Sequence, residues 1–394
     1  MTEPYNNRDR WPVMRNDRQA FVDKFGAKLA KQFQEAFWNA DPIADALFTS
    51  GHSVREIMPN LREALQAGNA TENTFPEVAA LVDDMKLALE GLDAERLERG
   101  RRVYLSIPVL SHGLALGPGS LVHTYSTPAI ANLLVNSGEL TDGAVKRLAY
   151  TTNWTYSLYL PGGLQPGGEG FFHTGMVRAM HAHVRRVHTS RGFDYSDWGA
   201  PINEFDMLRT WFDFTTIPYR GLQNMGYTLT QQEQQDIYYL WKVAGRMVGV
   251  PEALLEGQDD IASSQHLLDA VHFVDGEPNE HSQALVDALL DGFVVNAEQI
   301  TGLPTDSLAQ WTRAHVNIIH GDEVAEQYGI ARQPMQQILE FSTPTVAERF
   351  DLLRKNPEAL EEEIARNEQV IKDILDPEAA YLKQDDGVVV KEAA

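Results

Sequence analysis

Histidine is the residue type in this 394-residue chain best suited to chemistry, and four of its 12 histidines fall within Phe172–His188. The run Gly175-Met-Val-Arg-Ala-Met-His-Ala-His-Val-Arg-Arg-Val-His188 has helical periodicity, and nothing in it favours a strand. On a helix His181 shares a stripe with Val177, Met180, Val184 and His188, and Arg178 and Arg185 lie about one turn to either side. His183 falls about 200° away around the axis, so His181 and His183 cannot chelate one ion. A lone imidazole between two guanidiniums on an apolar stripe suits a flat, apolar, dianionic ligand carrying a metal. The ring nitrogen would meet an iron, and Arg178 and Arg185 would meet two carboxylates. On spacing alone, an ordinary buried histidine on an arginine-rich helix explains the pattern better than a ligand does.

A second group is Arg147, Tyr150 and Thr151, which share one helical face at spacings of three and four. A guanidinium, a phenol and a hydroxyl beside an apolar core would line an oxygen-binding pocket. A buried tyrosine with hydrogen-bonded neighbours accounts for them equally well. The turn Pro161-Gly-Gly-Leu-Gln-Pro-Gly-Gly-Glu-Gly170 lacks the Gly-Lys-Ser/Thr ending of a phosphate loop and follows a helix, so it reads as a tight connection. There is no His-Glu-x-x-His and no Gly-x-Ser-x-Gly. Cysteine is absent, which removes disulfides, thiolate nucleophiles, iron–sulfur clusters and thiolate-held iron.

Helices must position these groups. Asp17 to Trp38 carries Phe21, Phe25, Leu29, Phe33 and Phe37 at spacings of four and reads as one amphipathic helix. Asp41-Pro-Ile-Ala-Asp-Ala-Leu-Phe48 opens a short one, and Phe75–Leu92 and Asp93–Arg102 are again helical. Ile107 to Thr124, rich in glycine and β-branched residues, predicts loops between short helices. Ser126 would cap a helix ending at Gly138, and another would run from Thr141 to about Leu160. Ile202 to Thr215 predicts a long helix kinked near Pro218. Thr230-Gln-Gln-Glu233 is a capping box. Further helices are expected at Ile261–Phe273, Pro278–Ala297 and Thr305–Tyr328, with an acidic one around Pro357–Ile374 and a frayed tail beyond Asp385. The reading is all-α, without repeats or linkers: a central helical unit over 41–330, between an N-terminal helical extension over 1–40 and a charged C-terminal extension over 331–394.

A net charge of −23 with 43% hydrophobic residues describes a globular protein that would be repelled by nucleic acid and anionic membrane surfaces. The sequence shows no apolar run long enough to span a bilayer and no leader, which gives the expectation of a cytoplasmic protein unless a leader has been removed.

Several motifs, in order over roughly residues 40–330, resemble one family. They are Asp41-Pro-Ile-Ala-Asp-Ala, Ser126-Thr-Pro-Ala with Gly138-Glu-Leu, Leu160-Pro-Gly-Gly with Pro166-Gly-Gly-Glu-Gly, Met176-Val-Arg-Ala-Met-His-Ala-His-Val-Arg185, Pro201 to Thr215, and Tyr239 to Leu255. The family is the catalytic domain shared by latex clearing protein, the bacterial rubber oxygenase, and the fungal oxygenase MpaB. The resemblance implies a helical fold with a globin-like core, a haem b cofactor, and oxidative cleavage of carbon–carbon double bonds in a small hydrophobic substrate by O₂. It makes His181 the iron ligand, with its second ring N–H held by a carbonyl or carboxylate. Arg178 and Arg185 would pair with the haem propionates or stabilise their helix. The family's distal Arg-x-x-Lys-Thr pattern falls on Arg147, Tyr150 and Thr151, with Tyr150 in place of lysine. Ala131 stands where a distal glutamate is expected, Glu139 being the nearest carboxylate. Apolar residues of the Met207–Phe214 helix with Leu133 and Leu134 would hold the substrate. These departures leave two rivals open: a haem peroxidase or monooxygenase, and a haem-binding sensor or carrier without turnover.

Overall fold

Apolar stripes and well-marked caps build this chain almost wholly from helices. The computed structural model describes residues 10–136, 142–192 and 195–375, and no strand occurs among them. The N-terminal aromatic run is two helices rather than one, because Gly26 adopts a φ of 92° that ends α1 (Arg18–Phe25) before α2 (Ala27–Ala36) begins. Phe21, Phe33 and Phe37 are nonetheless fully buried, as their spacing predicts. Asp41 caps α3 (Pro42–Ala46) by accepting from the Ala44 N–H at 3.1 Å. The helices α4 (Val54–Ala67), α5 (Pro76–Leu87) and α6 (Ala94–Leu105) follow.

The segment expected as loops joining short helices is helical from Val109 onward. It forms α7 (Val109–Leu114), a wider π-helical turn over Ala115–Leu121, and α8 (Val122–Ser126). Ala115, Gly117, Pro118 and Gly119 are all buried there, so tertiary packing overrides poor helix propensity. Next come α9 (Pro128–Asn136), α10 (Asp142–Ser157) and α11 (Glu169–Ser190), the last two joined by the glycine-rich turn. Gly138 and Glu139 lie outside the described residues.

Beyond α12 (Tyr195–Trp198), the expected long helix is interrupted between α13 (Glu204–Phe212) and α14 (Thr216–Asn224). The break precedes Pro218, which sits in the first turn of α14 where its missing N–H has no helical partner to lose. The capping box of Thr230 and Glu233 opens α15 (Gln231–Val248). Then follow α16 (Glu252–Leu255), α17 (Ile261–Asp275), α18 (Glu280–Thr301) and α19 (Thr305–His320). Gly321, at φ 82°, separates α19 from α20 (Asp322–Gln327), where one helix to Tyr328 is expected. The chain continues with α21 (Pro334–Arg354) and α22 (Pro357–Ile374).

The hub of the main core is α11, which touches α3, α4, α5, α10 and α15. The helices α6 and α15 pack so closely that a Cβ at Gly100 would collide with the Asp236 carbonyl. A second, smaller core gathers Val122 and Tyr125 with Leu285, Leu290, Val316 and Tyr328. At the periphery, α22 seats on α6 through Arg101 and Glu368 at 3.0 Å, with Ile364 and Ile371 buried beneath it. No single helix among the described residues is long and apolar enough to cross a membrane.

Candidate functional site

The stretch carrying His181 is a 22-residue helix, α11, entered through a turn that folds back on itself: the Phe171 N–H donates to the Gly163 carbonyl at 2.7 Å. Trp154 of α10 donates to Thr174 Oγ1 of α11 at 3.0 Å, locking the two helices side by side.

Both arginines of the His181 stripe are buried and engaged by carboxylates of the chain itself. Arg178 meets Asp41 through Nε at 2.6 Å and Nη2 at 3.1 Å, Asp84 through Nη1 at 2.6 Å, and the Met247 carbonyl at 3.3 Å. Arg185 meets Asp45 at 2.7 Å and the Ile202 carbonyl at 3.4 Å. Of the two roles expected for these arginines, the structure displays the helix-stabilising one, and their guanidiniums face protein carboxylates. Burial alone would raise the Asp41 carboxyl, but the adjoining Arg178 outweighs it and holds Asp41 below the usual carboxylate range. For Asp45 burial prevails over Arg185, and its carboxyl is raised.

His181 borders a small cleft that it shares with Asp41, Arg185 and Glu204 on its polar side and Ile202, Met207 and Val248 on its apolar side. Burial, reinforced by Arg185, lowers the His181 imidazole to about 4, so the ring is neutral at ordinary pH. Its Nδ1 is buried without a hydrogen-bond partner, so neither the carbonyl nor the carboxylate expected to hold it is in place. Gly249, at φ 102°, closes the far wall; a Cβ there would lie 2.8 Å from Asp41 Oδ2, so the Asp41–Arg178 pair requires glycine opposite it.

One wall is strained. Ile202 has a φ of 50°, a region β-branched residues avoid, and among the described residues it is the one non-glycine with positive φ. Replacing Ile202 with glycine is expected to cost less than about 1 kcal/mol, because relief of about 1–3 kcal/mol of strain offsets the lost apolar contact. Urea unfolding of the variant measures this, and a loss above 2 kcal/mol would show the conformation to be unstrained.

The other expected residues divide. Tyr150 and Thr151 are half-buried, Tyr150 packs against the main core, and neither borders this cleft. The Arg147 side chain lies outside the described residues. Of the apolar wall expected to hold substrate, Met207 borders the cleft, whereas Phe214 stacks on Trp241 at 4.8 Å and Leu134 packs into the second core. His183 stacks edge-on against Phe48 at 5.2 Å, away from His181. Sequence reasoning missed Asp84, Ile202 and Gly249. Asp41 and Asp45 were visible as an acidic pair one turn apart, but only as a motif.

Nine of the 12 histidines, among them His112, His123, His181, His272 and His320, have lowered pKa values, with burial the first cause of each. Unfolding lets each take a proton at its ordinary 6.5, so their neutral burial is harmless above that pH and increasingly unfavourable below it. Asp213 and Asp275, both raised to about 6 chiefly by burial, act in the opposite sense and stabilise as pH falls through that value. With nine groups against these two and the raised Asp45, stability is expected to fall from pH 6.5 to pH 4 in urea titrations. A flat profile over that range would contradict neutral burial.

Among the described residues no three His, Asp or Glu side chains converge to hold a bare metal ion. A haem iron, which carries its own ring ligands, would need a single protein nitrogen here, and the neutral His181 imidazole could supply it. The free space in the cleft is about 10 Å³, room for about one water, so seating a macrocycle requires its walls to part widely.

The comparisons agree with this arrangement of helices. The chain matches no curated protein sequence. A solved structure described as "Structure of Latex Clearing Protein LCP in the closed state" superposes with a TM-score of 0.61 at 22% identity, covering 83% of this chain and 90% of that one. The profile of the family described as "ER-bound oxygenase mpaB/B'/Rubber oxygenase, catalytic domain" matches residues 102–348, well over half the chain and inclusive of all of α10, α11 and α13. An all-α fold in the latex clearing protein arrangement and a profile spanning the His181 helix lead to one assignment: this protein belongs to the MpaB/rubber oxygenase catalytic-domain family.

Proposed function

We propose that this oxygenase-family protein is a haem b-dependent oxygenase that uses O₂ on a small, hydrophobic, unsaturated substrate, with oxidative cleavage of a carbon–carbon double bond as its reaction. The observation that carries the reading is His181: a neutral, half-buried imidazole with a buried, unpartnered Nδ1, on a cleft wall where, among the described residues, no cluster offers other metal ligands. Haem, when bound, would supply the O₂-activating iron, with His181 as its protein ligand.

The chain's own residues do the rest. The Arg178 pairs with Asp41 and Asp84 fix the rotation of α11, and so the direction in which the His181 ring points. Arg185 ties the same helix to Asp45 and to the Ile202 turn. Ile202, Met207 and Val248 supply the apolar part of a wall that also carries Asp41, Arg185 and Glu204, and an alkene is proposed to lie against that apolar part. On α10, Tyr150 and Thr151 do not border the cleft as it stands; once its walls part, they and Arg147 are proposed as the polar groups facing O₂, with the Tyr150 phenol in place of a lysine ammonium as proton donor.

Oxygen uptake by the purified protein reconstituted with haem tests the reading, measured with a panel of hydrophobic alkenes and compared with peroxide-driven oxidation. The proposal expects alkene-dependent O₂ consumption with carbonyl products. Peroxide-driven turnover alone would establish a peroxidase, and haem binding without either activity a sensor or carrier.

A further inference from the structure

Helix α21 is apolar on two opposite sides. Its inner side packs on the body of the protein: Phe350 is buried and meets the Tyr227 ring at 5.4 Å, Gln336 is buried, and Thr343, Val346 and Ala347 lie against Gly226. Its outer side carries Ile338, Phe341 and Leu352, which are 62%, 86% and 59% exposed. Phe341 is the most exposed large hydrophobic residue among the described residues. Thr345 and Glu348 are exposed between them.

Single exposed apolar side chains are ordinary on a protein surface, but these share a pattern. Ile338, Phe341, Thr345, Glu348 and Leu352 follow one another at spacings of three, four, three and four, the repeat of a coiled-coil seam. At about 100° per residue they fall within an arc of about 80°, turned away from Phe350. A helix that seats one face on its own core and carries a narrow seam of this repeat on the other is shaped to receive a second helix.

We propose that this seam is a dimer interface, on which α21 of a second copy of the chain packs antiparallel about a twofold axis. The seam complements itself when reversed. With the axis midway between Thr345 and Glu348, Phe341 of each copy lies opposite Leu352 of the other, twice by symmetry, and Thr345 lies opposite Glu348. Glu348 then meets a hydroxyl that can donate to it. In a parallel pair it would meet the other copy's Glu348, a like-charge layer inside the seam. The net charge of −23 on each copy opposes approach, so the apolar layers supply the attraction and added salt strengthens it. One helix pair buries less than the about 1,200 Å² of a standard interface, which makes the dimer weak and reversible.

Sedimentation of the full chain over a range of concentrations tests the pairing. A monomer–dimer equilibrium in the micromolar range is expected, tightening several-fold from low to high salt. Phe341→Asp is expected to weaken it at least tenfold, and circular dichroism checks that this variant is folded. Because the chain has no cysteine, introduced cysteines report the register independently of that variant. Mild oxidation of Phe341→Cys mixed with Leu352→Cys is expected to join the two variants to each other. Leu352→Cys alone is expected to give few dimers, its two sites being about 16 Å apart along the antiparallel pair. None of these positions borders the His181 cleft, so the result does not depend on haem. A wild type that stays monomeric at every concentration and salt, an equilibrium unmoved in folded Phe341→Asp, or Leu352→Cys dimers that form as readily alone as in the mixture would overturn the proposal.

Discussion

Replacing Arg178 with methionine is expected to destabilise the fold by about 3 kcal/mol. Methionine fills much of the same space, so the loss is electrostatic rather than a cavity. Arg178 is 4% exposed and serves two carboxylates at once, Asp41 at 2.6 Å and Asp84 at 2.6 Å. Its removal leaves two negative charges facing each other over α11 with only partial access to water, and each must be protonated or resolvated. The Asp41 side chain is 12% exposed and Asp84 21%, which keeps the expected cost at the lower end of the about 3–5 kcal/mol typical when a buried pair is broken. Guanidinium unfolding measures the difference. Combining Arg178→Met with Asp41→Asn is expected to recover a third or more of the loss, since the orphaned charge is then gone. A single-variant loss below 1 kcal/mol would mean that solvent already screens these pairs.

The second large effect falls on activity rather than folding. His181→Ala is expected to lower O₂-dependent turnover at least 100-fold while changing stability by no more than about 1 kcal/mol. The stability term is small because the change removes both an apolar contact surface and a desolvated, unpartnered Nδ1, and these oppose one another. Most buried residues cannot be truncated so cheaply. A large stability loss with unaltered specific activity would make His181 an ordinary core residue and reverse the functional reading.

Local patterns in this chain report local structure faithfully. The helix over Phe172–His188, the Thr230/Glu233 capping box and a helix at Pro357–Ile374 are visible as periodicity and cap residues, and each is present. The misjudged places are those where a backbone requirement or burial outweighs the pattern. Gly26 and Gly321 adopt positive φ and break stripes that otherwise run on. Pro118 and its glycines stay helical because they are buried against neighbouring helices. Pro218 begins a helix instead of kinking one.

At the site, His181 is legible because its stripe is local. Its supports are not, since Asp41 and Arg178 are 137 residues apart and nothing in the spacing of either names the other. Seven residues separate Arg178 from Arg185 and four separate Asp41 from Asp45, about 10 Å and 6 Å of helix rise. Those two acidic–basic ladders pair rung to rung only once α3 lies across α11. The strained Ile202 and the glycine requirement at Gly249 are set by tertiary closure and leave no signature in composition.

The most direct test of the account is the visible absorption spectrum of the purified protein titrated with haem. A Soret band that saturates at one haem per chain, and that is lost or strongly shifted in a folded His181→Ala variant, is the predicted result. A wild type that stays without a bound-haem spectrum, or a His181→Ala spectrum identical to wild type, would contradict His181 as the iron ligand.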